Sequence, residues 1–164
     1  MSLYKDPIIQ KVIDVITAGV GTNIKSYYHG DPLMIAKSDL PALLVSKDTT
    51  EVGDEENAVD YHKMTLVLTL VTDIRDSISD TPSNIHYGDQ KLYDIFEGRN
   101  ADFTLKSTAI VDILKKSANL GSNANIDMKS PMRVSYGFTM GKRGEKALAW
   151  EGYLTFNIYF VQLR

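Results

Sequence analysis

The sequence predicts one α+β domain over residues 1–164, with helices packed on one face of a mostly antiparallel sheet and a long C-terminal β-hairpin. Two segments, Asp60–Ile74 and Leu148–Gln162, alternate apolar with more polar residues at the two-residue period of half-buried strands. Two others, Pro7–Val20 and Thr104–Leu120, repeat apolar residues at the helical period. Strands and helices of these lengths in one short chain favour a sheet covered by helices.

The first helix is predicted over Pro7–Val20. Asp6 is a favoured N-cap residue, and Pro7 suits the first helical position. Gly19 and Gly21 are typical of a helix end. The apolar residues between them form one stripe, which predicts a helix that packs on the sheet by one side.

Two short strands are predicted next, over Ile24–Tyr28 and Ala42–Ser46. They are followed by an acidic segment, Asp48–Asp60, which contains six acidic residues and no basic one. Because like charges repel and stay hydrated, this segment is predicted to be a flexible loop. A second loop is predicted at Asp76–Asn84, where serine, threonine and proline cluster.

The second half of the chain begins with a short helix that ends near Gly98. The helix over Thr104–Leu120 follows, and a polar connection then leads to a small strand at Ile126–Met128. The alternation at Arg133–Met140 predicts another strand, and Gly141–Glu145 joins it to the final strand as a hairpin.

Composition excludes several classes of protein. The chain has 164 residues, 43% of them hydrophobic, which suffices for a core that needs neither metal nor disulfide. It has no cysteine, so thiol nucleophiles, disulfides and cysteine-bound zinc are excluded. The net charge of −3 argues against non-specific nucleic-acid binding. No apolar run reaches the ~20 residues of a membrane helix, and Met1–Asp6 lacks a secretory signal pattern, so we expect no membrane partner.

The candidate chemical sites are all weak. The Gly19–Gly21 segment follows a helix and lacks a third glycine, so it predicts a helix end rather than a phosphate-binding turn. His29, His62 and His86 have no metal-ligand spacing, although His62 lies on the same side of its strand as Asp60. The acidic segment does not match the spacing of a calcium loop. We therefore expect no enzyme, no catalytic residue, no metal and no cofactor.

Charge is distributed unevenly along the chain. Against the six acidic residues of Asp48–Asp60, Lys129–Lys146 holds five basic residues and one acidic residue. Ordinary charged loops at a sheet edge would account for both, because charges hinder aggregation there. The alternative is that the basic hairpin of one subunit contacts the acidic segment of its neighbour, a heterologous contact that can close into a ring. This candidate assembly interface comprises Glu51, Asp54, Glu55, Glu56, Lys142, Arg143 and Lys146.

Over nearly its whole length the chain resembles the tail terminator proteins of long-tailed bacteriophages. The resemblance is one of pattern: the helix Pro7–Val20, the acidic segment before the strand Asp60–Ile74, the central helices Tyr87–Phe96 and Thr104–Leu120, and the closing hairpin Arg133–Leu163. It implies a non-enzymatic virion protein of the tail, assembled in the cytoplasm of a bacterial host. It also implies a ring, typically hexameric, that ends the tail tube, stops its polymerisation and offers a surface to the head connector.

Two alternatives remain open from the sequence. Another head–tail connector or tail completion subunit would share this outline and differ in the ring that it contacts. A small enzyme or ligand-binding domain would need a cavity between sheet and helices, lined by His62 or Tyr93 with carboxylates nearby.

Overall fold

The computed structural model of the protein describes residues 4–55, 59–73, 87–142 and 148–163. Its helices there are α1 (Pro7–Val20), α2 (Tyr87–Glu97) and α3 (Ile110–Lys116). Its strands there are β1 (Ser26–His29), β2 (Ala42–Glu55), β3 (Val59–Asp73), β4 (Asn119–Gly121), β5 (Ala124–Ile126), β6 (Arg133–Lys142) and β7 (Leu148–Leu163). The predicted class, α+β with a mostly antiparallel sheet, is confirmed.

The centre of the sheet is the antiparallel pair of β3 and β7. Their register runs without interruption from Val59 opposite Leu163 to Asp73 opposite Ala149. β2 pairs with the other edge of β3, and β1 joins β2 in parallel. β5 and β6 both pair with the outer edge of β7, at different positions along it, and β4 extends β5. β2, β5 and β6 therefore pair with the central strands directly, and β1 and β4 join the sheet through β2 and β5.

The helices cover one face of these central strands. The apolar side chains of the two strands that point into this layer are Met64, Leu66, Leu68, Leu70, Leu154, Phe156 and Ile158, all buried. They contact the apolar stripe of α1, the short α3, and Leu92 and Phe96 of α2. Leu154, Phe156 and Ile158 therefore show the one-sided burial that the alternation in Leu148–Gln162 predicts.

The opposite face is covered at one end only. A second buried cluster there is made of Ile35, Leu40, Ala42, Leu44, Val71 and Ala149. The chain before β2 supplies Ile35 and Leu40, and Lys37 of the same segment lies 3.4 Å from the carboxylate of Asp73. The sequence predicted a semi-polar outer face, and this covering segment was not foreseen.

The start of α1 is fixed by one carboxylate. Asp6 Oδ1 accepts hydrogen bonds from the backbone N–H groups of Ile8 (2.9 Å) and Ile9 (3.3 Å). The other oxygen, Oδ2, pairs with the ammonium of Lys47 on β2, which joins the helix to the sheet. At the other end Gly21 has a φ of +68°, a conformation that glycine adopts without a steric cost. The predicted bounds of α1 are confirmed.

The flexible loop predicted at Asp48–Asp60 is wrong for the described residues. Asp48–Glu55 belongs to β2 and Val59–Asp60 to β3, with Glu51 opposite Lys63 and Asp54 opposite Asp60. The register shifts between Lys47 and Thr49, so a bulge accommodates the irregular start. Exposed charges stay hydrated on a strand surface, so they do not prevent backbone pairing with β3.

The helix predicted at Thr104–Leu120 is also wrong in extent, because α3 covers Ile110–Lys116 only. Before it, Leu105 forms an isolated bridge with Arg99, and after it Asn119 begins β4. The small strand predicted at Ile126–Met128 lies two residues earlier, as β5. Residues 76–84 and 143–145, predicted as a loop and a turn, lie outside the described residues.

Replacing Asp6 tests the capping and its pH dependence. Burial by itself raises the pKa of Asp6, but the hydrogen bonds from Lys47, Ile8 and Ile9 outweigh it and hold the pKa below 3.8. Asp6→Ala should lower the free energy of unfolding by about 1–2 kcal/mol at neutral pH. Because the folded pKa is lowered, this contribution is present above the unfolded pKa and is lost as pH falls through the folded value.

Denaturant unfolding at pH 7 and in acid would measure the difference between wild type and Asp6→Ala. The control is Asp6→Asn, which keeps an acceptor oxygen and removes the charge, so its loss should be smaller. A difference for Asp6→Ala that stays constant into strong acid would contradict the assignment.

Gly152 of β7 tests the contact between sheet and α2. A Cβ at this position would lie 2.8 Å from Phe96 Cε2 and 3.2 Å from Tyr136 Cδ1. Gly152→Ala should therefore cost about 1–3 kcal/mol of stability through overpacking. The matched control is Gly53→Ala, where a Cβ meets nothing within 4 Å. Thermal unfolding of both variants would show equal stability if the contact between α2 and β7 were loose.

Candidate assembly surface

From Met64 towards Val59, at the start of β3, the sheet extends past the helix layer. β2 is buried over Ala42–Val45 and exposed over Lys47–Gly53, on both of its faces. Val59–Lys63 of β3 is only half-buried, and β7 becomes exposed at Val161. We call residues 49–55, 59–63 and 159–163 the sheet extension. It is a three-stranded surface in which β2 is exposed, whereas Phe160 packs against the core and Tyr61 and Tyr159 lie beside residues 125–129.

Apolar and aromatic side chains remain in the sheet extension. On the helix-side face, Val52, His62 and Phe160 lie in one row across the three strands. Val52 is 62% exposed, and the rings of His62 and Phe160 stack with centroids 4.5 Å apart. On the other face Tyr61 and Tyr159 stack at 6.2 Å. Val52 is exposed and the four rings are half-buried, and partly exposed apolar surface of this kind is typical of a protein interaction surface.

Both edges of the sheet extension are open among the described residues. β1 pairs with β2 no further than Val45, so Ser46–Glu55 has no neighbouring strand on that side. On the other side β5 reaches β7 only at Ile158 and Tyr159. Open edges present unpaired backbone N–H and C=O groups, to which a further strand can bind. The acidic residues of β2 lie on the first of these edges.

The structure separates the two charged groups of the candidate interface. Glu51 lies in the sheet extension, and Asp54 and Glu55 end β2. Lys142 ends β6 next to Leu148, the first residue of β7, at the far end of the sheet. Glu56, Arg143 and Lys146 lie outside the described residues. From the pair Val59–Leu163 to the pair Asp73–Ala149 the sheet spans about 45 Å at about 3.3 Å per residue.

Of the described members, Glu51, Asp54 and Glu55 therefore lie at one end of the protomer and Lys142 at the other, and they are not brought together within it. The charges were visible in the sequence, but the row of exposed Val52 and half-buried His62 and Phe160 was missed. The alternation of Thr50, Val52 and Asp54 was a signal for it, obscured by the density of acidic residues.

A surface groove beside α2 is the nearest counterpart to a small-molecule site. Its volume is about 560 Å³, and its lining residues are Gln90, Lys91, Tyr93, Asp94, Glu97, Gly98, Arg99 and Lys106. The carboxylate of Asp94 pairs with Lys106, and the ring of Tyr93 packs edge-on against Tyr136 with centroids 4.5 Å apart. Burial, followed by the charge of Glu97, raises the pKa of Tyr136, so this phenol stays protonated.

This groove does not match the cavity that an enzyme was expected to need. It lies on the outside of α2 rather than between sheet and helices. His62 is not part of the groove. Its ring stacks on Phe160, which lies eight residues along β7 from Gly152, and α2 packs over Gly152. The groove can hold a small polar molecule by charge pairing, and nothing in its geometry places a nucleophile beside a base.

The described ranges contain no cluster of three or more His, Cys, Asp or Glu side chains suited to a metal ion. Their helices are too short or too polar to span a bilayer. The sequence matches no protein-family profile and no curated protein.

Truncating Phe160 should separate folding from assembly. Phe156 is 2% exposed in the core, so Phe156→Ala should cost about 3–5 kcal/mol of stability. Phe160 is half-buried in the sheet extension, so Phe160→Ala should cost only about 1–2 kcal/mol. Chemical unfolding would measure both. Equal losses would mean that Phe160 belongs to the core and that the extension is not a separate surface.

Proposed function

We propose that this chain is a structural subunit of a head-to-tail ring that ends a bacteriophage tail tube, as a tail terminator does. The observation that carries the proposal is the geometry of the sheet. A partly exposed, acidic three-stranded extension lies at one end of a strand pair about 45 Å long, and Lys142, which leads into a basic segment of the sequence, lies at the other. A subunit with complementary opposite ends can bind copies of itself in series.

Charge selects the head-to-tail arrangement over a two-fold one. An isologous contact through either end would place like charges against each other, acidic on acidic or basic on basic. A heterologous contact places the acidic extension of one copy against the basic hairpin of the next. Heterologous contacts either close into a ring or continue as a filament. For a cap on a tube, closure is the required outcome.

The mechanism of such a cap is physical and needs no catalytic group. A growing tube presents unsatisfied edges on its last ring of subunits. A ring that binds this end better than another tube subunit, and presents no equivalent surface on its far side, stops growth. Charged contacts between copies are weak in physiological salt. The ring is then expected to form on the tube rather than in free solution.

Neutralising the basic hairpin tests the contact between copies. Lys142→Gln, Arg143→Gln and Lys146→Gln together should weaken self-association and reduce its sensitivity to salt, because the attraction to Glu51, Asp54, Glu55 and Glu56 is lost. Lys5→Gln, Lys25→Gln and Lys115→Gln, at exposed positions elsewhere, change the net charge equally and should have little effect. Analytical ultracentrifugation over a range of salt concentrations measures both; equal behaviour of the two triple variants would contradict the contact.

The function itself is tested by adding the chain to polymerising tail-tube protein of a long-tailed phage. Added chain should shorten the tubes and appear as a ring on one end by electron microscopy. Tubes of unchanged length with bare ends would overturn the proposal. A ring that binds portal or connector assemblies and ignores tubes would identify a head–tail connector instead.

A further inference from the structure

A braced loop presents an aromatic side chain to solvent. Phe103 is 80% exposed and has a φ of +67°, a conformation that is rare for a bulky residue. It lies in the turn after α2, between Gly98 and Lys106, which we call the Phe103 loop. An exposed ring held in an unfavourable backbone conformation is an outlier that points to a role in binding.

The Phe103 loop is held rigid by its own hydrogen bonds. The Asn100 N–H donates to the carbonyl of Thr104 (2.8 Å), and the Phe103 N–H donates to the carbonyl of Asn100 (3.0 Å). Arg99 Nη1 donates to the carbonyl of Phe103 (2.9 Å). Asp102 Oδ1 accepts both the N–H (3.1 Å) and the hydroxyl (2.6 Å) of Thr104. A preorganised aromatic loses little conformational entropy on binding, as interface anchors require.

An apolar pocket lies beyond the other end of α3. Pro7 and Ile8 of α1, with Leu120 and Ala124 of β4 and β5, line a cavity of about 260 Å³, and Lys11 is also part of its lining. We call it the α1–β5 pocket. An aromatic ring fills a cavity of roughly 150 Å³, so one phenylalanine side chain fits. Phe103 of the same chain does not fill it, because that ring is exposed.

We propose that Phe103 of one copy inserts into the α1–β5 pocket of the next copy in the ring. The Phe103 loop precedes α3 and follows α2, whose Phe96 packs at Gly152 towards the basic end of the sheet. The α1–β5 pocket includes β5, which pairs with β7 at Tyr159, where the acidic extension begins. The Phe103 loop and the α1–β5 pocket therefore lie towards opposite ends of the sheet, with the same head-to-tail polarity as the charged ends. This proposal rests on the ring of the proposed function.

Charge at the rim agrees with this pairing. Asp102 immediately precedes Phe103 and is exposed, and the hydrogen bonds from Thr104 lower the pKa of its carboxyl. Lys11 is exposed at the pocket. A carboxylate beside the inserted ring thus meets an ammonium at the rim, which adds orientation to an apolar contact.

Phe103→Gly is the decisive variant. Glycine adopts a positive φ freely, so the loop keeps its shape and the monomer should unfold at a temperature no lower than wild type. The concentration needed for ring formation should rise about 30-fold, as for the loss of an interface hot spot. The control is Leu33→Ala, because Leu33 is 91% exposed outside this region. Ring formation by Phe103→Gly at wild-type concentrations would overturn the inference.

Cross-linking tests the partner side, and the absence of native cysteine makes it unambiguous. A double variant with Ala101→Cys in the Phe103 loop and Lys11→Cys at the α1–β5 pocket should form a ladder of disulfide-linked multimers up to ring size. Ala101→Cys with Lys25→Cys, away from the pocket, should not. Equal ladders would overturn the inference. A wild-type ring with neither effect leaves the proposed function standing without this contact, whereas no ring in solution or on tubes overturns both.

Discussion

The pairing of β3 with β7 is the constraint on which the rest of the structure depends. Their uninterrupted register fixes a rigid strand pair about 45 Å long, at about 3.3 Å per residue, and every other element attaches to it. Its alternating side chains, Leu66 and Leu68 against Leu154 and Phe156, present one continuous apolar face, and the helices bury that face. Because the register is non-local, it also decides which loops share an end of the molecule.

The helix layer is shorter than the strands that it covers, and this mismatch produces the candidate interface. α1 begins where Asp6 pairs with Lys47, and beyond that point the strands continue with Val52 exposed and His62 and Phe160 half-buried. A monomer gains little by extending strands into water, since an uncovered hairpin is only marginally stable by itself. Such an extension is understandable when a second copy or another protein covers it. The acidic residues on its open edge limit indiscriminate strand pairing.

Local signals in the sequence sufficed for α1, β3 and β7. Asp6 and Pro7 mark the start of α1, and the alternation through Met64 and Ile158 fixes the two strands within a residue or two. Backbone pairing between strands decided the rest. The acidic part of β2 is a strand because β3 pairs with it, and α3 is short because Leu105 pairs with Arg99 and Asn119 with Asn125 instead of continuing the helix. The charges of the candidate interface were visible in the sequence, but their separation to opposite ends follows only from the register.

The central claim is that opposite ends of the chain bind each other in a closed ring, and native mass spectrometry tests it most directly. Spectra would be recorded from micromolar to millimolar concentrations, alone and with tubes added. We expect monomers at low concentration and a closed ring of one size, typically a hexamer, at high concentration or on tubes. A two-fold dimer as the end state, or a monomer under every condition, would contradict it.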